Sequence, residues 1–290
     1  MPEIVTHCPL CNSDRSRSFD QREFRGQIVT NRVCMNCGLV YQSPRMTEAE
    51  SAEFYAAEYR RMYQGEEGPN AKDLAVQHAR ADTLFAFTHR HVQNVTRHLD
   101  VGCSSGLLLQ RFRDGFGSQP VGIEPGDAYR AHAQKLGITV HASLDELRKN
   151  ETACFDLISM AHVLEHLPKP VEYLADLRET LLAPGGALLL EVPNLYAHDS
   201  FETAHLLSFS ATTLAATLEQ AGYDVIQIEA HGRPRTDIIP YYLTVLAKPG
   251  TQKKTIDLRR ERLVSFKRRL GLLHRKVLSR LFPGKAWKNL

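Results

Sequence analysis

The chain has 290 residues, 43% hydrophobic and 24% charged, a balance that excludes a disordered tail protein or an integral membrane protein. Its net charge of +3 hides an asymmetry: residues 251–290 hold 13 Lys and Arg against 2 Asp and Glu, and the rest of the chain is acidic. No apolar run approaches a membrane span and MPEIVTHCPL has no apolar signal core, so the expectation is a cytoplasmic protein whose six cysteines are thiols or metal ligands.

Residues 1–45 contain Cys8-Pro9-Leu10-Cys11 and Cys34-Met35-Asn36-Cys37-Gly38, two Cys-x-x-Cys pairs 22 residues apart. Each such turn offers two thiolates, and four thiolates suit tetrahedral zinc. The stretch between them, FDQREFRGQIVTNRVC, predicts a short hairpin turning near Gly26. So small a unit has little core, and metal would supply much of its folding energy. The expectation is a zinc ribbon with Zn2+ on Cys8, Cys11, Cys34 and Cys37. Four protein ligands leave no open position, which makes the ion structural. The ribbon is not markedly basic, so no nucleic-acid contact is expected of it.

Residues 46–94 read as a helical connector. Thr47 is an N-cap with Glu50 three residues on, opening a helix that carries Phe54, Tyr55, Tyr59 and Tyr63. Gly65-Glu66-Glu67-Gly68-Pro69 breaks it, and a second helix is expected over Ala71–Phe87. The aromatics suit packing between modules, with Tyr59 or Tyr63 closing over a ligand as the alternative.

From 95 to 248 strands and helices alternate, the pattern of a doubly wound, mainly parallel α/β sheet. Strands are expected at Asn94–Asp100, Pro120–Ile123, Thr139–His141, Phe155–Met160, Ala187–Val192, Tyr223–Glu229 and Tyr241–Ala247. Helices are expected at Leu107–Asp114, Gly126–Lys135, Ser143–Lys149, Val171–Leu182 (stopped by Pro184-Gly185-Gly186) and Thr212–Ala221. In HLDVGCSSGLLLQRF, Gly102 and Gly106 let the chain turn sharply and a ligand approach the free N–H groups of the following helix. Glu124 ends the next strand, where a carboxylate can accept two hydrogen bonds from a ribose diol. The dinucleotide fingerprint fits poorly: counted from Gly102, its later glycines fall on Ser104 and Leu107.

Several ordered segments together resemble the class I S-adenosylmethionine-dependent methyltransferases. Asp100, Gly102 and Gly106 match their first motif, with Ser104 at its variable middle position. VGIEPGDAYRAHA, FDLISMAHVLEHLPKPVEYLADLRETLLAPGGALLLEVPN and HLLSFSATTLAATLEQAGYDVIQIE resemble their later strands and helices. The resemblance implies a Rossmann-like fold binding S-adenosylmethionine. The amino-acid end would lie near Asp100, Gly102 and Gly106, the ribose on Glu124, the adenine near Ala142 and Ser143, and His162 would line the cleft. The ribbon also resembles a module fused to such enzymes in sugar and secondary-metabolite pathways. It implies a small-molecule acceptor, a sugar or glycan precursor first, with a quinone or phenolic lipid as the alternative. A non-catalytic adaptor that kept the fold is a third reading. No Asn/Asp-Pro-Pro-Tyr/Phe-type element follows the fourth strand, which argues against nucleic-acid methylation.

A hydroxyl acceptor needs a base. His205 is the first candidate, with Glu202 close enough in sequence to orient it, and His166 the second. In residues 249–290, Leu263, Phe266, Leu270, Leu273, Val277 and Leu281 recur at helical spacing among Arg and Lys. This predicts a basic amphipathic helix, broken near Gly271 and ended by Pro283-Gly284. A membrane surface, an acidic partner, the acidic body and a homodimer contact are the alternatives for residues 251–290.

Overall fold

The computed structural model describes residues 2–47, 50, 68–199, 201–250 and 260–288. Its centre is a seven-stranded sheet built from β4 (Arg97–Val101), β5 (Gln119–Ile123), β6 (Thr139–His141), β7 (Phe155–Ala161), β8 (Leu182–Pro193), β10 (Tyr223–His231) and β11 (Tyr242–Pro249), in the order β10-β11-β8-β7-β4-β5-β6. β4 through β8 pair in parallel, while β11 runs antiparallel to both neighbours. Continuous apolar runs in β7 and β8 suit a parallel sheet covered on both faces, and Leu157, Ile158, Leu188 and Leu190 are fully buried. The chain leaves β4 in one direction and returns to β7 on its other side. That reversal is where open α/β sheets form a ligand crevice.

Helices α1 (Ala71–His89), α2 (Leu107–Phe116), α3 (Asp127–Lys135), α4 (Leu144–Asn150), α5 (Pro170–Thr180) and α6 (Ala211–Gln220) flank the sheet. Asn70 caps α1 and Ser143 caps α4, each side chain accepting from the third helical N–H. The expected elements lie within a few residues of these, with one correction. α5 ends at Thr180, and β8 starts at Leu182 and absorbs Pro184, Gly185 and Gly186 as a bulge opposite Phe155–Leu157. An irregular strand end tolerates Pro and Gly where a helix does not. Thr47 and Glu50 exchange the expected capping bonds, at 2.8 and 3.2 Å. The helix they would open, with Phe54, Tyr55, Tyr59 and Tyr63, lies outside the described residues.

In the ribbon, β1 (Ser16–Phe24) and β2 (Gln27–Cys34) form the expected hairpin. Arg25 and Gly26 both have positive φ, 52° and 79°, the requirement of a two-residue turn that follows strand twist. β3 (Val40–Gln42) adds next, and β9 (Leu207–Ser208), from the loop after β8, completes the sheet by pairing Leu207 with Tyr41. Cys8, Cys34, Leu39 and Tyr41 share one apolar cluster with Leu99, Leu206 and Phe209. Ribbon and body are therefore continuous in space.

The tail forms α7 (Val264–Leu281), followed by α8 (Pro283–Ala286). The break expected at Gly271 does not occur. A Cβ there would stand 2.0 Å from the Tyr196 carbonyl oxygen, so the glycine serves close packing. Glu261 enters the helix with its N–H on Cys37 O (3.0 Å) and its carboxylate accepting from the Ser210 hydroxyl (2.9 Å). Asp199 accepts from both Arg22 (2.7 Å) and Arg268 (3.0 Å), joining ribbon, body and tail. Among the described residues no helix is long and apolar enough to cross a membrane.

Candidate active site

The glycine turn after β4 is built by sterics. Gly102 and Gly106 have φ of +75° and +81°, and a Cβ would stand 2.6 Å from Val163 Cγ2 at the first and 2.8 Å from Ala133 Cβ at the second. The N–H groups of Gly102 and Cys103 both donate to Ile123 O, binding the turn to the end of β5. Ser104 also has positive φ, 51°, a conformation costing a non-glycine residue about 1 kcal/mol. Glu124, almost fully buried, accepts from the Ser104 and Gly126 N–H groups, each at 2.9 Å. Its N–H in turn donates to His141 O, which brings Ala142 and Ser143 alongside. Ala142 N–H donates to Glu146, whose own N–H donates to Ser143 Oγ. The predicted cofactor positions thus converge at the carboxyl ends of β4, β5, β6 and β7.

Asp100 is buried at the end of β4. It accepts from the Ser159 hydroxyl at 2.6 Å, and Ser159 meets His98 Nε2 at 2.8 Å. Burial pushes the Asp100 carboxyl up to about 7, although the Ser159 bond works against it. The sequence missed α1 as a wall of this turn. Gln77 accepts from the Ser105 hydroxyl and donates to Asp73, which also accepts from Tyr129 (2.6 Å).

Beyond Val163 lies a second cluster, rich in histidine and carboxylate. His162 has φ 57°, and its ring lies between Glu165 (Nδ1 to Oε1, 3.4 Å) and Glu191 (Nε2 to Oε1, 3.3 Å). Glu191 is fully buried near the carboxyl end of β8 and meets Arg80 (2.9 Å), His231 (3.4 Å) and the Thr244 hydroxyl (3.1 Å). Burial pushes its carboxyl up, but the bonds to His162 and His231 and the Arg80 charge prevail and hold it well below the usual range. Burial likewise opposes ionisation of Glu165, and His162, His166 and His205 overcome it, holding the carboxyl near 2. Among the described residues the Glu165 carboxylate meets only histidines, His162 at 3.4 Å and His166 at 4.0 Å.

His166 donates from Nδ1 to Ala204 O at 2.8 Å, and burial lowers its ring to about 4. His205 meets Glu202 Oε1 through Nε2 at 3.0 Å, the contact expected from sequence proximity. The two imidazoles stand edge to face with centroids 4.8 Å apart. Ligand atoms of Glu165, His166 and His205 all lie within 4.8 Å of one another, a set able to hold a divalent cation. His198, lowered by burial to about 3, packs against Tyr241 and Tyr242. Arg80, Glu191, His198, His231 and the two tyrosines were absent from the sequence reading. Only their pairing across α1, β8, β10 and β11 unites them.

In the ribbon, Cys8 and Cys37 sulfurs are 3.6 Å apart and Cys11 and Cys34 3.5 Å, all four within 4.8 Å of one another. Tetrahedral zinc at about 2.3 Å from each sulfur sets ligands about 3.8 Å apart, so the cage fits that ion. The contact with Cys34 pushes Cys8 up to about 12 and raises Cys37, while those neighbours lower Cys34.

The model of a methyltransferase-domain family matches residues 71–228. The chain belongs to the class I S-adenosylmethionine-dependent methyltransferases. It is 35% identical over 107 residues to a ubiquinone biosynthesis O-methyltransferase of Haemophilus ducreyi, covering 33% of this chain and 44% of that protein. It is 30% identical over 191 residues to a tRNA U34 carboxymethyltransferase of Pectobacterium atrosepticum, covering 55% of this chain and 56% of that one. The chain therefore spans about half the length of these curated relatives. The fold is shared with the 1,6-didemethyltoxoflavin-N1-methyltransferase of Burkholderia thailandensis, solved with S-adenosylhomocysteine. That likeness has a TM-score of 0.59 at 19% identity, covering 80% of this chain and 99% of that one. The methyltransferase's turn and Glu124 suit the family's cofactor: positive φ and close packing against Val163 and Ala133 require glycine at 102 and 106, and a carboxylate stands buried at the end of β5.

Proposed function

We propose that this methyltransferase moves the methyl group of S-adenosylmethionine to a hydroxyl oxygen of a small molecule. The observation that supports it is the adjacency of the two clusters, with Val163 over Gly102 and His162 leading into Glu165, His166 and His205. Gly102 and Gly106 admit the amino-acid end of the cofactor, Glu124 accepts from the ribose diol, and Ala142 and Ser143 border the adenine. Asp100 shapes the turn from within, and His162 lines the cleft. The acceptor oxygen attacks the methyl in line: a C–O bond forms, the C–S bond breaks, and S-adenosylhomocysteine leaves. His205, held by Glu202 at Nε2, takes the hydroxyl proton, and the Glu202 charge stabilises the imidazolium. His166 is the second candidate for that role.

A specific observation favours a second reading of the same cluster. The buried Glu165 carboxylate with His166 and His205 would hold a divalent cation that lowers the pKa of the acceptor hydroxyl. Activity lost to a chelator and restored by one metal would select it over a free base. For the acceptor, the sugar or glycan precursor expected from the ribbon stands beside a phenolic or quinone lipid. The partial similarity to ubiquinone O-methyltransferases supports the latter. Incubation of the enzyme with isotopically labelled methyl donor and a metabolite extract, read by mass spectrometry, tests both. Label on an oxygen of a single metabolite is expected. Cofactor binding without transfer to any acceptor would favour the adaptor reading. We propose structural zinc for the four cysteines.

A further inference from the structure

The tail helix α7 is seated inside out. Its buried residues are Val264 and Arg268, with Gly271 packed on Tyr196. Arg268 donates to the Leu195 and His198 carbonyls, and Arg275 to Ala197 O at 3.2 Å. At about 100° per residue, Phe266, Leu270, Leu273, Val277 and Leu281 fall within an arc of about 80° on the opposite side. They are 62%, 56%, 57%, 44% and 63% exposed, and Phe282 and Trp287 beyond them are about half exposed. Soluble helices turn such a stripe toward the core. Here arginines hold the body and the apolar stripe is left outward.

The stripe has basic margins. Lys267, paired with Glu261, and His274 lie along one side, and Arg269, Lys276 and Arg280 along the other, all exposed. No acidic residue occurs between Val264 and Leu281. We propose that α7 is a docking surface for an anionic lipid bilayer, lying in the interface with its apolar stripe among the acyl chains and its cations at the headgroups. A large apolar stripe between two cationic margins matches that layered environment. A second copy of the chain on this face would bring two wholly basic surfaces together. An acidic protein would answer the charge and leave the stripe uncovered.

The test is flotation of the full chain with vesicles of phosphatidylcholine alone or with phosphatidylglycerol, beside light scattering of the free protein. Flotation with the anionic vesicles, weakened by salt and near background with phosphatidylcholine, is expected. Phe266→Ser combined with Leu270→Ser, and separately Arg269→Glu combined with Lys276→Glu, should each weaken it at least ten-fold. These exposed side chains lie outside the catalytic cleft, so unchanged S-adenosylmethionine affinity reports an intact fold. That affinity also keeps the result separate from the methyltransferase reading. No flotation, flotation indifferent to the variants, or a dimer dispersed by the serine variants would overturn the proposal.

Discussion

Glu202 and His205 were legible as a pair because only two residues separate them, whereas Glu191 was not, since its partners come from α1, β10, β11 and the loop after β7. The His205 role predicts that His205→Ala lowers turnover about 100-fold or more with cofactor affinity unchanged, as steady-state kinetics and calorimetry would show. An unchanged rate removes it as base. Burial also makes stability pH-dependent. His98, His166 and His198 are held neutral, at about 3, 4 and 3, below the ordinary value of 6.5. The unfolded chain therefore binds more protons below pH 6.5, and stability falls on acidification toward pH 4. Asp100, raised to about 7, has the opposite sense: its folded form holds a proton that the unfolded chain gives up, so its contribution is lost as pH rises from about 4 through 7. With three groups against one, the denaturation midpoint should drop between pH 6.5 and 4.

At the scale of elements, periodicity and caps located most helices and strands of the body. It failed where tertiary contact decided. β9 is two residues long, too short for any period, yet it joins the ribbon sheet to the loop that carries His205. Gly271 reads as a breaker until the Tyr196 carbonyl beneath it is known. The ribbon's coupling to β9 predicts more than a metal count. Cys37→Ser should lower zinc from about one per chain to near zero in metal analysis. It should also speed amide exchange over residues 201–209 and slow methyl transfer more than it weakens cofactor binding. Zinc-free protein with wild-type exchange and rate would sink this link.

For the whole molecule, the chain's charge asymmetry was plain in the sequence, and its meaning was not. Composition placed a basic amphipathic segment in the tail, but only the seat on Leu195–Asp199 shows which face points outward. The doubly wound, mainly parallel sheet and the pairing of the glycine turn with Glu124 were legible in the alternation of elements; the strand order, the switch between β4 and β7 and the seat of Val163 over Gly102 were not, because they are set by tertiary pairing. We propose that this convergence of Gly102, Glu124 and Val163 binds S-adenosylmethionine. Isothermal titration of the purified chain with S-adenosylmethionine tests it most directly. Binding at one site per chain is expected, weakened about 10- to 100-fold in Glu124→Ala, the loss of one or two charge-assisted hydrogen bonds. No binding, or an affinity unmoved by Glu124→Ala, would contradict it.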